Sequence, residues 1–327
     1  MSVSIQDLCG RMAAGRDVIR NAFRWENSLF YPVCANLFCA RDAQPDAEKL
    51  AACRDLIRQE TGIFSSFRGN VRLPLICLLS LDEDPRGRLD RTLKAWQMLK
   101  RRFFQSDYLA LAACFLSDLE ETELEQTADR ARKLYEAMKK NHPFLTGSED
   151  SVFCVLLARS ERSSEDLIDD MEQSYRCLKE TFRDSNSVQT VSHILASSPV
   201  PAREKADRLA DLYRNVTIRG VKYGKNRELP VLASLALTEA DTDTLADQIL
   251  QASDYLSDQK GWRGIFGYDR RTRSMHAAML TADLYAPRTE TEKAALSGAL
   301  AAVLAQQMAA CIAATSAAAA SSSSGSQ

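Results

Sequence analysis

The sequence is poor in glycine, proline and aromatic residues. Its 327 residues include 13 glycines and 9 prolines, and aromatic residues make up 7% of the chain. All-β proteins need many turns and favour aromatic and β-branched side chains, so this composition disfavours them. No apolar run approaches the roughly 20 residues of a membrane span. The first residues also lack the basic and apolar segments of a signal peptide. We therefore predict no membrane partner.

An excess of one charge sign is also missing. The chain has 42 basic and 44 acidic residues, which leaves a formal charge of −2. Proteins dedicated to nucleic-acid binding usually carry a basic excess, so we expect no nucleic-acid partner. A basic patch confined to one surface is compatible with the same totals.

Residues that bind metals or act as nucleophiles are few or badly spaced. The three histidines, His142, His193 and His276, are far apart and show no H-x-x-x-H spacing. The nine cysteines include no C-x-x-C pair. We therefore predict no metal site and no cofactor. Several cysteines lie inside apolar runs, which is typical of buried free thiols and favours a cytoplasmic location.

The dominant pattern is an alternation of charged amphipathic segments with short apolar segments. The amphipathic members repeat apolar residues with a 3.6-residue period, which indicates helices with one buried face. The apolar members recur about every 40 residues, as in arrays of helical hairpins, at residues 73–81, 108–116, 151–159, 188–196, 229–237 and 273–281. Their fifth position is small in five of the six: Cys77, Ala112, Ser192, Ala233 and Ala277. Small residues at one position allow neighbouring helices to approach closely.

These patterns predict an all-α, helical-hairpin repeat array of about six to eight hairpins. The array could be an open solenoid or curve into a closed α/α toroid, and the pattern is also compatible with a non-repetitive bundle of hairpins. We place one repeat domain at residues 1–287. An Ala-rich terminal helix that caps the array is predicted for 288–316, and a disordered Ala/Ser tail for 317–327.

Polar residues gather at the junctions that precede the apolar helices. If the hairpins stack, these junctions form one rim, and we predict a binding site there with the candidates Asp107, His142, Glu149, Asp150, Arg270 and Arg273. The alternative is that they only cap helices. Ser148 is then the N-cap of an apolar helix, Asp107 lies in the first turn of another, and His142 caps the end of a charged helix. His193 and His276 are expected to be core histidines with satisfied hydrogen bonds.

Residues 261–268 form a segment rich in glycine and aromatic residues. It could present an aromatic platform for a ligand, or it could be a tight turn that a buried Trp262 anchors to the core.

Two stretches resemble a bacterial domain-of-unknown-function family, numbered 4003. They are residues 108–116, Tyr-Leu-Ala-Leu-Ala-Ala-Cys-Phe-Leu, and residues 138–150, Met-Lys-Lys-Asn-His-Pro-Phe-Leu-Thr-Gly-Ser-Glu-Asp. The Ala-then-Ser tail is also similar to members of this family. The resemblance implies a bacterial cytoplasmic protein, and it implies no activity, cofactor or catalytic residue.

The sequence therefore favours a non-enzymatic module that binds a protein partner or a small molecule at its rim or concave face. The alternative is an enzyme on an α/α toroid, with carboxylates such as Asp107, Glu149 or Asp150 acting as acid and base. A third hypothesis is an anionic ligand or nucleic acid bound near Arg270, Arg271 and Arg273.

Overall fold

A computed structural model describes residues 4–264 and 267–285. Within these ranges the chain forms fourteen α-helices, one short 3₁₀ turn at Ser66–Arg68 and no strand. The predicted all-α class is confirmed. The helices are α1 Ile5–Ala22, α2 Phe30–Cys39, α3 Ala47–Glu60, α4 Arg72–Ser80, α5 Pro85–Leu99, α6 Asp107–Cys114, α7 Glu121–Asn141, α8 Asp150–Ala158, α9 Ser164–Lys179, α10 Ser185–Leu195, α11 Ala202–Ile218, α12 Leu229–Ala236, α13 Thr242–Asp258 and α14 Arg270–Leu284.

The helices form seven antiparallel hairpins arranged in two layers. Each odd-numbered helix packs against the even-numbered helix that follows it. Odd helices also pack on neighbouring odd helices, and even helices on neighbouring even helices. The amphipathic helices therefore make an outer layer and the apolar helices an inner layer, as the hydrophobic pattern predicts.

The two layers close on themselves. The first outer helix, α1, packs against α13 and α14, and the last inner helix, α14, packs against α2. We call this contact between the first and last hairpins the seam. Arg16 stabilises it, because its guanidinium donates to the Lys260 carbonyl oxygen at 2.7 Å and lies 5.3 Å from the Trp262 ring. The array is thus a closed α/α toroid of seven hairpins.

The first hairpin belongs to the repeat even though its sequence match is weak. Pro32 occupies the place that Pro74 holds in α4, and the small position of the repeat then falls on Ala35. This side chain is buried, like those of Cys77, Ala112, Ala233 and Ala277. A small side chain therefore occupies this position in six of the seven hairpins.

The centre of the toroid is filled by side chains. Every residue of α2 and of α12 is buried. In α4 and in α6, every residue except the first is buried. Helices that are apolar on all sides are stable only when neighbours surround them. The ring therefore encloses a packed core.

The two ends of the toroid differ in charge. We call the end where outer helices lead into inner ones the mouth end; its seven turns are 23–29, 61–71, 100–106, 142–149, 180–184, 219–228 and 259–269. These turns contain twelve Lys and Arg against six Asp and Glu. The six turns of the opposite end, 40–46, 81–84, 115–120, 159–163, 196–201 and 237–241, contain three against ten. The near-neutral total therefore conceals a strongly polarised molecule.

A buried ion pair joins two neighbouring hairpins. The Lys205 ammonium lies 2.8 Å from both carboxylate oxygens of Asp170 and donates to the Leu195 and Ser198 carbonyl oxygens at 2.9 Å. Arg162 also donates to Asp170, at 2.8 Å. The charge of Lys205 is thus fully compensated, which a buried ammonium requires.

No helix in the described ranges is long and apolar enough to cross a membrane. The helix predicted for 288–316 and the tail predicted for 317–327 lie outside the described residues. The described part of the predicted 1–287 domain is the toroid.

Candidate functional site

A cavity opens at the mouth end, between the last four hairpins. Its volume is about 960 Å³. We call it the mouth cavity; its lining includes Leu145, Glu149, Asp150, Phe153, Asp184, Asn186, Ser187, Gln189, Thr190, Lys222, Asn226, Arg227, Glu228, Asp269, Arg270 and Arg271. The lining comes from the turns before α8, α10, α12 and α14 and from the first turns of those helices. The positive ends of the inner helix dipoles therefore face the cavity.

The interior of the mouth cavity is polar and buried. Asp150, Gln189 and Glu228 are each at most 4% exposed, although all three line the cavity. Gln189 donates to the Thr146 hydroxyl at 3.0 Å. Burying such groups at a cavity wall costs free energy, and this cost favours a polar ligand that would complete their hydrogen bonds.

Asp150 is the most perturbed carboxyl group of the cavity. Its pKa is raised to about 7, chiefly by burial and also by nearby Glu149, while a hydrogen bond from the Gly147 amide opposes the rise. That amide lies 2.8 Å from Oδ2. The other oxygen, Oδ1, is 3.7 Å from Nδ1 of His193, which has no hydrogen-bond partner. A carboxyl group with a pKa near neutrality can exchange a proton with a ligand at physiological pH.

His193 itself is a neutral, buried imidazole. It is 2% exposed, and burial lowers its pKa to about 3. The sequence predicted a core histidine with satisfied hydrogen bonds; that second part is wrong, because the polar side chains around Nδ1 stay beyond hydrogen-bond distance. The prediction of satisfied hydrogen bonds is also wrong for His276. Its ring packs against those of Trp262 and Tyr268, and neither of its nitrogens has a hydrogen-bond partner.

Two of the cavity carboxylates are committed to capping helices. Asp184 accepts a hydrogen bond from the Ser187 amide at 2.7 Å at the start of α10. Asp269 accepts from the Arg271 and Thr272 amides at 2.8 and 3.1 Å at the start of α14. Their negative charge is therefore partly neutralised by backbone donors.

Several basic residues of the mouth cavity, by contrast, are not held by a carboxylate within the described part of the chain. Among the described residues, Lys222, Arg270 and Arg271 make no ion pair, and all three are exposed at the cavity. Arg227 has only a distant carboxylate, with its Nε 3.7 Å from Oε1 of Glu228. The entrance to the cavity thus presents unpaired positive charge above a buried polar interior.

Glycines in the turns make room for two acidic side chains. A Cβ on Gly224 would overlap the carboxylate of Glu228, and one on Gly147 would overlap that of Glu149. The backbone therefore approaches these carboxylates more closely than any other residue type would allow.

Three predicted site residues lie in the mouth cavity and three lie outside it. Glu149, Asp150 and Arg270 line it. Asp107 follows the Ser106 N-cap of α6, in the first turn as expected, and accepts from the Asn70 amide at 2.9 Å.

The other two predicted site residues have structural partners. His142 ends α7 as its predicted cap and lies 2.9 Å from Glu172, against the Tyr175 ring. Arg273 donates to the Trp262 and Tyr268 carbonyl oxygens at 3.1 and 2.9 Å. Trp262 is fully buried, so of the two interpretations of segment 261–268 the anchored turn agrees with the structure.

One capping prediction is wrong. The residue before α8 is Glu149 in a helical conformation, and no side chain caps that helix. The Ser148 carbonyl oxygen instead accepts a hydrogen bond from the Ser151 hydroxyl at 2.7 Å. The first turn of α8 is thus free of a local cap, which leaves the Asp150 side chain to bond back to Gly147.

Sequence reasoning did not single out Gln189 and Lys222 as site residues. Gln189 lies on an otherwise apolar helix, and this polar residue in a buried segment was a usable signal. Lys222 lies in a long turn, where lysine is common, so its presence there does not indicate a binding site.

Comparison with known proteins identifies the family. Residues 17–315 match the family described as "Protein of unknown function (DUF4003)". The chain belongs to this family. A curated relative, "Uncharacterized protein YeaA" of Bacillus subtilis (strain 168), is 24% identical over 226 residues, which is 67% of each chain. No solved structure matches the sequence.

Proposed function

We propose that this member of the DUF4003 family binds an anionic small molecule in the mouth cavity. The observation that carries the proposal is the combination of three unpaired cations, Lys222, Arg270 and Arg271, with a buried polar interior in one cavity of about 960 Å³. This volume suits a metabolite-sized ligand. The cations would hold a phosphate or carboxylate group, and Asp150, Gln189 and Glu228 would bond the polar remainder of the molecule.

The setting we propose is a reducing cytoplasm. The eight cysteines in the described part of the chain are unpaired, and seven of them are buried. Buried free thiols are usual in cytoplasmic proteins. A small-molecule ligand is favoured over a protein partner at the cavity because the polar side chains lie below the rim, where an extended protein surface would not reach.

Thermal unfolding in the presence of candidate anions tests this proposal. Inorganic phosphate, pyrophosphate, citrate and sugar phosphates should be screened individually. A ligand at about one hundred times its Kd adds about 2.7 kcal/mol to the stability of the folded state. At least one class of anion should raise the unfolding temperature of the wild type.

Two arginine variants, one in the mouth cavity and one outside it, complete this test. The double variant Arg270→Ala with Arg271→Ala should lose the shift. Arg214→Ala, an exposed arginine on α11 outside the cavity, should keep it. Equal shifts in all three proteins would mean that the anions act elsewhere, and the proposal would fall.

A second candidate function is acid–base catalysis on the bound molecule. Asp150 supports it, because its pKa of about 7 lets it donate or accept a proton near neutral pH. The assay is to incubate each stabilising anion with the wild type and with Asp150→Asn and to follow the ligand by NMR. Conversion that the variant abolishes would establish an enzyme. Binding without conversion in either protein would leave a binding module.

A further inference from the structure

The mouth end carries a ring of exposed apolar side chains. Among the described residues, seven large hydrophobic side chains are strongly exposed, and six of them lie in or beside the turns of the mouth end. They are Trp25, Ile63, Phe64, Phe104, Phe144 and Ile218, with exposures from 73% to 99%. The seventh, Val200, lies at the opposite end and is 37% exposed. Five of the seven hairpins contribute to this ring, which we call the apolar ring.

The exposed residues are not failures of core packing. Adjacent aromatic residues in the same turns are buried; Phe103 is 7% exposed and Phe104 is 92% exposed. Phe103 packs edge-to-face on Tyr135, with ring centroids 5.5 Å apart. One side chain of the turn therefore anchors it and the next projects into solvent. Single exposed apolar residues are common, but a set confined to one end of a molecule marks an interaction surface.

The charges of the same turns indicate what kind of surface this is. The mouth end has twelve basic and six acidic residues in its turns, and the opposite end has three and ten. Basic residues share these turns with the apolar ones: Arg24 directly precedes Trp25, and Arg101 lies three positions before Phe104. Arg24 and Arg101 are exposed and make no ion pair within the described residues. The partner of this end must therefore combine negative charge with an apolar layer.

We propose that the mouth end docks on the surface of an anionic lipid bilayer, although the sequence, which has no membrane-spanning run, predicted no membrane partner. Trp and Phe side chains insert at headgroup depth, while Lys and Arg pair with anionic headgroups. The apolar ring consists of separate exposed side chains, or tips, carried by different turns at the same end of the toroid. A fluid, flat surface can accept such scattered tips together, whereas a protein partner would need a matching pocket for each one.

Single-stranded nucleic acid is the competing partner, because it too binds basic and aromatic residues. Two features favour the bilayer. Ile63 and Ile218 are aliphatic and offer bases no aromatic face. The aromatic tips, Trp25, Phe64, Phe104 and Phe144, also stand on four different turns. The docking does not depend on which ligand occupies the mouth cavity.

Trp25 gives a direct signal for the test. The chain has three tryptophans; Trp25 is 99% exposed, Trp262 is fully buried and Trp96 is partly buried within the toroid. The full-length protein should be mixed with phosphatidylcholine vesicles with or without phosphatidylglycerol. We expect a blue shift of the Trp25 emission and co-sedimentation with the phosphatidylglycerol vesicles only. Both signals should weaken as salt is added.

Three variants separate the contributions of the tips and the charges. Phe64→Ser with Phe104→Ser and Phe144→Ser should reduce co-sedimentation at least tenfold and leave the fold intact, because these side chains make no core contacts. Arg24→Gln with Arg101→Gln should weaken partitioning by about fivefold per charge removed. Val200→Ser, at the opposite end, should have no effect. Circular dichroism confirms that each variant is folded.

Several outcomes would overturn the proposal. Absence of co-sedimentation with phosphatidylglycerol vesicles at low salt would do so, and so would binding that the triple Phe variant leaves unchanged. Tip-dependent binding to a single-stranded oligonucleotide without vesicle binding would assign the surface to nucleic acid.

Discussion

The most informative single change is Asp150→Asn, because it isolates the cost of the buried carboxyl group. The pKa of this group is about 7 in the folded state, against 3.8 for an aspartate in water. Between these two pH values the unfolded chain releases the proton and the folded chain keeps it. The folded state therefore binds more protons, and the stability contributed by Asp150 falls as the pH rises from about 4 to about 7.

The magnitude follows from the two pKa values. One pKa unit corresponds to about 1.36 kcal/mol, so the full loss across the window is about 4 kcal/mol. Asn cannot ionise, and it can still accept from the Gly147 amide through its carbonyl oxygen. The stability of the variant relative to the wild type should therefore increase by about 2–3 kcal/mol between pH 5 and pH 8. Any constant effect of burying the amide cancels in this comparison.

Urea unfolding followed by circular dichroism, at pH values from 5 to 8, measures this difference. Asp254→Asn, which replaces an exposed carboxylate on α13, is the matched control, and any pH dependence that it shows is subtracted from that of Asp150→Asn. A relative stability of Asp150→Asn that stays constant within about 0.5 kcal/mol across the range would refute the reasoning, because the carboxyl group would then titrate alike in both states.

Further substitutions test the toroid and its cavity. Lys205→Ala leaves Asp170 and Arg162 with a disrupted buried network and should cost about 3–5 kcal/mol in urea unfolding. Ala233→Leu overpacks the small position between inner helices and should cost about 1–3 kcal/mol; Gln251→Leu, at an exposed position on α13, should cost far less. Arg16→Ala removes the contacts to Lys260 and Trp262 at the seam and should speed proteolysis of the first hairpin, whereas Arg214→Ala should not. Binding of sulfate, whose charge is constant in this range, should weaken from pH 6 to pH 8 in the wild type as Asp150 ionises, and isothermal titration should find no such dependence in Asp150→Asn.

Much of the fold could be predicted from the sequence because hydrophobic periodicity reports burial directly. The apolar stretch around Ile76 and the amphipathic stretch around Leu93 identified inner and outer helices without any structural information. Closure could not be predicted. It depends on the small rotation between successive hairpins, and on contacts such as that of Arg16 with Trp262, which join residues almost 250 positions apart.

The candidate site could be predicted in part. Helix starts are recognisable from acidic and capping residues, so the rim of junctions was expected, and Glu149, Asp150 and Arg270 do meet there. The sequence could not show which hairpins leave space between them. Asp107 and Arg273 lie at equivalent junctions, but both side chains bond to backbone groups: Asp107 to the neighbouring turn 61–71, and Arg273 to turn 259–269 before its own helix. Only three-dimensional packing decides this.

The charge of the mouth end illustrates the same limit. The total of −2 suggested no dominant field. Successive turns of the chain lie alternately at the two ends of the toroid. Basic residues predominate in the turns of the mouth end, and acidic residues in the turns of the opposite end. A count over the whole chain averages these two ends, whereas a count by turn separates them.

Anion binding at the mouth cavity is the central claim, and a ³¹P NMR titration of inorganic phosphate with the full-length protein tests it most directly. The wild type should broaden and shift the phosphate signal in a saturable way, Arg214→Ala should do the same, and Arg270→Ala with Arg271→Ala should not. An unchanged signal with the wild type, or equal saturation with the double variant, would contradict the assignment of the mouth cavity as an anion site.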